Sequence, residues 1–205
     1  MDLNLDEYYN NLGMKSAWEE NREFAHWLVD YKNPTITVEL GVDYGYSLFA
    51  LSEMNHGHVF GIDLFEGDAH AGARDWTVQY KTVLDFIHQH GMHRTHVIRG
   101  DFVNVAANWK MPIDILHIDG LHTYDAVRND YMHWSQRVKE NGVILFHDTV
   151  SYSGPMQLLE ELTRIDRLIV GNFQNRAGLG VVTFNQDLIS AIKEKYGDQF
   201  RVLNP

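Results

Sequence analysis

The sequence contains no cysteine. Disulfides, thiolate metal centres and a cysteine nucleophile are therefore excluded, and a reducing, cytoplasmic setting is compatible with that lack. Proline is scarce, with four in 205 residues, and no Pro/Gly/Ser-rich tract suggests a linker. One core can serve a chain of this length, so a single domain over 1–205 is expected. Apolar runs stop after about four residues, as at 143–146, whereas a membrane span needs about 20. The opening residues, Met-Asp-Leu-Asn-Leu-Asp-Glu, are acidic, which does not suit a secretory leader. Basic residues are in deficit: 17 Lys and Arg stand against 28 Asp and Glu, a formal charge of −11. That balance argues against nucleic acid and anionic membrane as partners. The 12 histidines would carry the charge to about +1 if all were protonated, so charge swings steeply near their usual pKa of about 6.5.

What is present is an alternation of strand and helix signals, pointing to an α/β domain with a mainly parallel sheet. A first helix is predicted over 16–31, with Ser16 and Glu19 as a capping box and Pro34 beyond its end. The first thirty-three residues are expected to form a helical extension to the core, which is expected to span 34–184. Strands are predicted at 36–40, 59–64, 96–99, 113–118 and 143–146, with Asn141-Gly142 turning the chain into the last of these. A helix is predicted over 46–54. Tyr80, Val83, Leu84 and Ile87 make a helical stripe, as do Val127, Tyr131, Trp134 and Val138. Pro155 suits the first position of a helix with Leu158, Leu159, Leu162 and Ile165 inward. Two closing strands, 168–173 and 180–184, are too close for a crossover helix and read as an antiparallel hairpin. The tail, 185–205, and the first twenty residues carry no clear signal. In such open sheets ligands bind beyond the carboxyl ends of the strands, so strand-end residues carry the chemistry.

After the first strand comes Glu39-Leu40-Gly41-Val42-Asp43-Tyr44-Gly45-Tyr46-Ser47, a glycine turn leading into a helix. Glycines there allow close approach of a ligand, and the helix start offers free N–H groups. The spacing is not G-x-G-x-x-G and there is no P-loop lysine. Glu39 and Asp43 would repel a pyrophosphate, which speaks against an NAD-dependent oxidoreductase. They suit S-adenosylmethionine, whose sulfonium and ammonium can face Glu39 while its carboxylate meets the N–H groups near Ser47. Asp63 ends the second strand, where an acid can accept two ribose hydroxyls. Asp101-Phe102 follows the third, where the carboxylate can accept the adenine amino group and the ring can lie against the base. Asp101 also fits a helix N-cap.

The fourth and fifth strands end in His117-Ile118-Asp119-Gly120-Leu121-His122-Thr123-Tyr124 and Phe146-His147-Asp148-Thr149. Neighbouring strands would gather Asp119, His122, His147 and Asp148 in one crevice. Carboxylates with imidazoles can hold a divalent metal: oxygen ligands favour Mg²⁺, and a histidine ligand shifts the choice toward Mn²⁺, Fe²⁺ or Zn²⁺. Methyl transfer to an alcohol needs the oxygen deprotonated, so Asp119 and His122 are the catalytic candidates, His122 as base. Activity at the metal without methyl transfer, and a cofactor-binding module without turnover, are the competing readings. The histidines at 88, 90, 93 and 96, and those at 26, 56, 58 and 133, read as solvated or turn positions.

On these residues the chain resembles the class I S-adenosylmethionine-dependent methyltransferases, and within them the macrocin-type sugar O-methyltransferases and cephalosporin-hydroxylase-like proteins. The carrying stretches are 38–47, 61–72, 116–130 and 142–149. The resemblance implies a Rossmann-like seven-stranded sheet, order 3-2-1-4-5-7-6 with the last strand antiparallel and helices on both faces. It implies cofactor contacts at Glu39, Gly41, Gly45, Ser47, Asp63 and Asp101. It implies Mg²⁺ held at Asp119 and Asp148, with His122 as base; those relatives have an acidic pair where this chain has His147-Asp148, so the metal set expected here is Asp119, His147 and Asp148, with Mg or Mn. A small hydroxylated acceptor, a sugar among them, would lie under a mobile loop at 66–76, with His70 and Trp76 in contact. A homo-oligomer is compatible with the termini shaping a contact.

Overall fold

The computed structural model describes residues 3–67, 75–175 and 177–204. The chain divides into two compact units, Met1–Asn108 and Trp109–Pro205. The strands follow the order β3-β2-β1-β4-β5-β7-β6-β8, the expected order with one further edge strand.

The first unit holds α1 (Leu5–Asn11), α2 (Arg22–Lys32), β1 (Ile36–Leu40), α3 (Tyr46–Glu53), β2 (His58–Asp63), α4 (Trp76–Gln89), β3 (Thr95–Arg99) and α5 (Phe102–Asn108). β1 pairs parallel with β2, and β2 with β3. Buried β-branched and aliphatic residues such as Val38, Leu40, Val59 and Ile62 explain the strands, since these side chains pack well on a pleated surface. α3 is buried nearly all round and so reads as an apolar segment rather than a stripe.

Several expectations are corrected here. α2 starts at Arg22 after a 3₁₀ turn over Glu19–Asn21; Ser16 instead accepts from the Trp18 N–H at 3.1 Å. The inward face of α4 is Gln79, Val83 and Phe86, with Leu84 exposed. α1 carried an overlooked signal: Asn4 caps it by accepting from the Glu7 N–H, and Leu5, Tyr8, Tyr9 and Leu12 fall at i, i+3, i+4 and i+7. This segment is latched down by one buried acid. Glu53 accepts from the Leu3 N–H at 2.7 Å and from Arg22 at 2.6 and 2.9 Å, and it pairs with His26 at 2.5 Å. Arg22 also donates to the Leu3 carbonyl. His26 is thus a part-buried hydrogen-bond partner of Glu53, and the structure likewise pairs His58 with His96, ring nitrogens 3.0 Å apart.

The second unit holds β4 (Ile113–Ile118), α6 (Tyr124–Trp134), β5 (Val138–His147), α7 (Ser153–Leu162), β6 (Ile169–Phe173), β7 (Leu179–Thr183), α8 (Gln186–Tyr196) and β8 (Phe200–Val202). β4 is buried along its whole length, as a strand covered on both faces should be. It pairs parallel with β5, and β7 runs antiparallel to both β5 and β6, the expected hairpin. β8 adds an antiparallel edge to β6. Val138 and Asn141-Gly142 belong to β5, not to a helix end and a turn; the ladder passes them with a register shift between Ile113 and Ile115. Pro155 is the third residue of α7, and Ile165 lies beyond its end and is exposed. The tail that carried no signal is α8, capped by Asn185 with Leu188, Ile189 and Ile192 buried, and then β8. Among the described residues no helix is long and apolar enough to cross a membrane.

Candidate active site

In the first unit the glycine loop leaves β1 through two left-handed residues, Gly41 (φ 90°) and Asp43 (φ 50°), and reaches α3 at Gly45 (φ 88°). Asp63 holds this shape. One carboxylate oxygen accepts the N–H groups of Val42 (2.8 Å) and Asp43 (3.3 Å), and the other accepts that of Phe65 (2.7 Å). Asp63 therefore ties the loop after β1 to the chain after β2. Each carboxylate oxygen has two lone pairs, so Asp63 retains accepting capacity. Asp43 accepts from the buried Gln79 at 2.6 Å. Glu39 is fully buried on β1, and Ser47 is buried in the first turn of α3.

The first free N–H of α3 has a partner that sequence reasoning missed. The Tyr46 N–H donates to the Tyr9 hydroxyl (3.2 Å), the Tyr8 hydroxyl donates to the Tyr44 carbonyl (3.0 Å), and the Tyr46 hydroxyl donates to Asp6 (2.7 Å). Thus α1 lies against the glycine loop. Asp101 caps α5, accepting from the Asn104 N–H at 2.9 Å.

Beyond the ends of β2 and β3 a cavity of about 600 Å³ is lined by Phe65, Glu66, Asp75, Trp76, Thr77 and Arg99. Trp76 opens α4 half-buried, pressed on Gly67: a Cβ there would fall 2.0 Å from the indole. Arg99 donates to the Leu64 carbonyl (3.0 Å) and faces the Tyr80 ring at 5.7 Å. His70, and most of the loop expected to cover the crevice, lie outside the described residues.

The second unit brings together all four residues singled out at its strand ends. Ile118 and Phe146 are register partners, so Asp119 and His147 follow at the same level, with Asp148 next in a left-handed conformation (φ 59°). His122 Nε2 lies 3.3 Å from Asp119 Oδ1 and 3.0 Å from Asp148 Oδ2. His147 Nδ1 lies 3.3 and 3.4 Å from the same two oxygens. Two carboxylate oxygens and two imidazole nitrogens thus alternate around a common centre.

The charges respond to this packing. Burial opposes the imidazolium of His122, but hydrogen bonds to Asp119 and Asp148 outweigh it and push its pKa up to about 9. His147, more deeply buried, is nonetheless raised to about 10 by the charge of Asp119 and its bonds to both acids. Burial likewise opposes ionisation of Asp148, yet its bonds to the two histidines bring it down to about 2. Asp119 is held well below the usual carboxylate range against its own burial, chiefly by the charge of His147. Groups perturbed by burial and specific charge partners cluster at functional sites, which makes this ring the candidate site.

Its frame is local. Thr123 caps α6 by accepting from the Ala126 N–H. Gly154 lets the start of α7 touch the His122 loop, since a Cβ there would lie 2.3 Å from the His122 carbonyl. Tyr152, unmarked by any sequence signal, stacks on the His122 ring with centroids 4.5 Å apart and planes 14° apart. It remains 38% exposed, and Val150 beside it is 52% exposed. The Tyr152 N–H donates to the Asp148 carbonyl, and the Val150 N–H to that of Ala177.

Comparison with known proteins agrees with this architecture. A family model described as a methyltransferase domain matches residues 38–149. The structure is similar to the O-methyltransferase TomG of Streptomyces achromogenes, bound to S-adenosylmethionine (TM-score 0.69, 12% identity, 89% of this chain and 90% of that one). It is similar to the Bacillus cereus O-methyltransferase bound to S-adenosylhomocysteine (TM-score 0.67, 14% identity, 82% and 81%). The S-adenosylhomocysteine-bound Podospora anserina methyltransferase PaMTH1 is also similar (TM-score 0.67, 13% identity, 84% and 80%). At these identities the likeness is one of fold. In sequence, the chain is 28% identical to an uncharacterised protein, y4gI, of Sinorhizobium fredii, over 86% of this chain; the match spans about a fifth (20%) of that protein's length. With the family match covering more than half of its residues, the chain belongs to the methyltransferase-domain family.

Proposed function

We propose that the protein transfers the methyl group of S-adenosylmethionine to a hydroxyl oxygen of a small acceptor, with a divalent ion assisting, and that residues 1–205 act as one methyltransferase domain. The observation that carries this reading is the ring of Asp119, His122, Asp148 and His147 in a chain of the methyltransferase family. The strings His117–Tyr124 and Phe146–Thr149 support a place beside the macrocin-type enzymes, and so a sugar as acceptor. Glu39, Gly41, Gly45, Ser47, Asp63, Asp101 and Phe102 are the proposed cofactor contacts, with Trp76 and His70 on the acceptor side.

The donor set fits a divalent ion. Asp119, His122 and Asp148 each offer a ligand atom within 4.8 Å of the others, and His147 faces the same oxygens. An ion held by Asp119, Asp148 and His147 would lower the pKa of the acceptor hydroxyl and offset the carboxylate charge that keeps His122 protonated. The role of base falls to His122, whose Nε2 takes the hydroxyl proton. The acceptor oxygen forms its bond to the methyl carbon as the carbon–sulfur bond breaks, and the electron pair stays on sulfur. The product, S-adenosylhomocysteine, is no longer a sulfonium. Tyr152, stacked on His122, holds the ring in plane while the proton moves.

Calorimetric titration with S-adenosylmethionine, S-adenosylhomocysteine and NAD⁺ tests the reading, followed by an acceptor screen beginning with sugars. Micromolar binding of the first two and none of NAD⁺ is expected. Binding of NAD⁺ alone, or of none of the three, would overturn it.

A further inference from the structure

Resting on the reading that this cluster holds a divalent ion, we infer that His147 makes it a site for nitrogen-accepting transition ions, Mn²⁺ or Fe²⁺ in class, rather than for Mg²⁺. His147 is 3% exposed and sits at the end of β5 with Nδ1 turned toward Asp119 and Asp148. Its 3.3 and 3.4 Å separations from their oxygens match the spacing between adjacent ligands of one ion. With bonds of about 2.1 Å, octahedral or tetrahedral neighbours stand roughly 3.0–3.4 Å apart. The side chain is fixed there: β5 pairs with β4 on one side and β7 on the other, and His117, fully buried, packs edge-on against its ring at 6.3 Å.

The chemistry separates the ions. Mg²⁺ is a hard ion that seeks oxygen ligands and gives up water reluctantly. Imidazole nitrogen suits the borderline ions instead. A neutral imidazole brings no negative charge to the ion, which weakens a hard-ion site further. The two carboxylates and one buried imidazole leave the remaining positions of an ion for water or an acceptor oxygen.

The test uses EDTA-treated, dialysed protein without cofactor or acceptor. Mn²⁺ and Mg²⁺ are titrated by calorimetry, and pulsed EPR of the Mn²⁺-loaded protein reads nitrogen coupling to the bound ion. Mn²⁺ should bind at least ~10-fold tighter than Mg²⁺. An imidazole nitrogen coupling should be present and should lose the His147 contribution in His147→Gln, leaving at most the one nitrogen that His122 offers. His147→Asp should bring the two affinities within about threefold by restoring an oxygen ligand. A His58→Gln variant, run in parallel, removes the other close histidine pair and should retain both the preference and the coupling. Equal or tighter Mg²⁺ binding by the unaltered protein would overturn the inference whatever the variants do. So would absent nitrogen coupling, or a coupling unchanged in folded His147→Gln. None of these results touches S-adenosylhomocysteine binding, whose failure would strike the methyl-transfer reading instead.

Discussion

Aspartates at strand ends do different work in the two units. In the first, Asp63 and Asp101 accept backbone N–H groups and so hold the chain in shape. In the second, Asp119 and Asp148 face imidazoles and so hold charge. A backbone-bonded acid preorganises a surface for a ligand, whereas an acid between two titratable rings sets where a proton resides. In the proposed function, the same residue type in the same topological place serves binding in one unit and chemistry in the other.

The largest expected effect that would sharpen this contrast is at His122. His122→Ala should lower kcat by about 10²–10⁴-fold, the usual range for a general base, while S-adenosylhomocysteine affinity stays within about twofold; full turnover would remove His122 from the proton path. Asp63→Ala should do the reverse. Three backbone N–H groups lose their acceptor, each worth about 1–3 kcal/mol when left unsatisfied, so cofactor affinity should fall at least ~10-fold and the melting temperature should drop. Calorimetry and thermal denaturation read both, and a variant altered in neither would break the contrast.

The charged ring should also show in the pH dependence of stability. The pKa values of His122 and His147 are raised to about 9 and about 10 in the folded protein. Their contribution is full below the ordinary histidine value of about 6.5 and is lost as pH rises through 9–10. Asp148, lowered to about 2, contributes above the ordinary carboxylate range, and that contribution is lost as pH falls toward 2. In EDTA, the melting temperature should therefore fall by about 5 °C or more between pH 6.5 and 10, and by clearly less in His122→Ala. Equal slopes would mean the ring stores no such energy. The smallest effect is expected at Tyr152: Tyr152→Ala should cost about three- to tenfold in kcat/KM by loosening the His122 ring, with Tyr152→Phe restoring most of it.

Much of this was legible in the residues. The boundaries of β1 and β4 follow from short segments rich in β-branched and aliphatic residues, closed by Gly41 and Asp119-Gly120, and the hairpin of β6 and β7 from the shortness of its connection. The four strand-end residues of the second unit could be named because strand order and strand ends suffice to bring them together. Other features depend on tertiary contact. Val138 fits a helical stripe, but the ladder with Ile113 claims it for β5. Leu84 fits the stripe of α4, yet Gln79 is buried in its place through its bond to Asp43. The stacking of Tyr152 on His122 has no periodic signature. The Leu5–Leu12 pattern did mark α1, but nothing local marks its tyrosines as partners of the glycine loop.

The Glu53 latch has a consequence for how this loop would answer the proposed cofactor. Glu53 holds the backbone of Leu3, while Tyr8 and Tyr9, a few residues on, hold Tyr44 and Tyr46. Any undocking of the amino-terminal segment would therefore be coupled to the order of the glycine loop. By reciprocity, a ligand that favours the ordered loop tightens the segment by the same factor with which the docked segment tightens the ligand. Amide exchange at Leu3 and Leu5 would then slow on cofactor binding, so that a carboxylate on the far end of α3 reports whether the loop at its near end is filled.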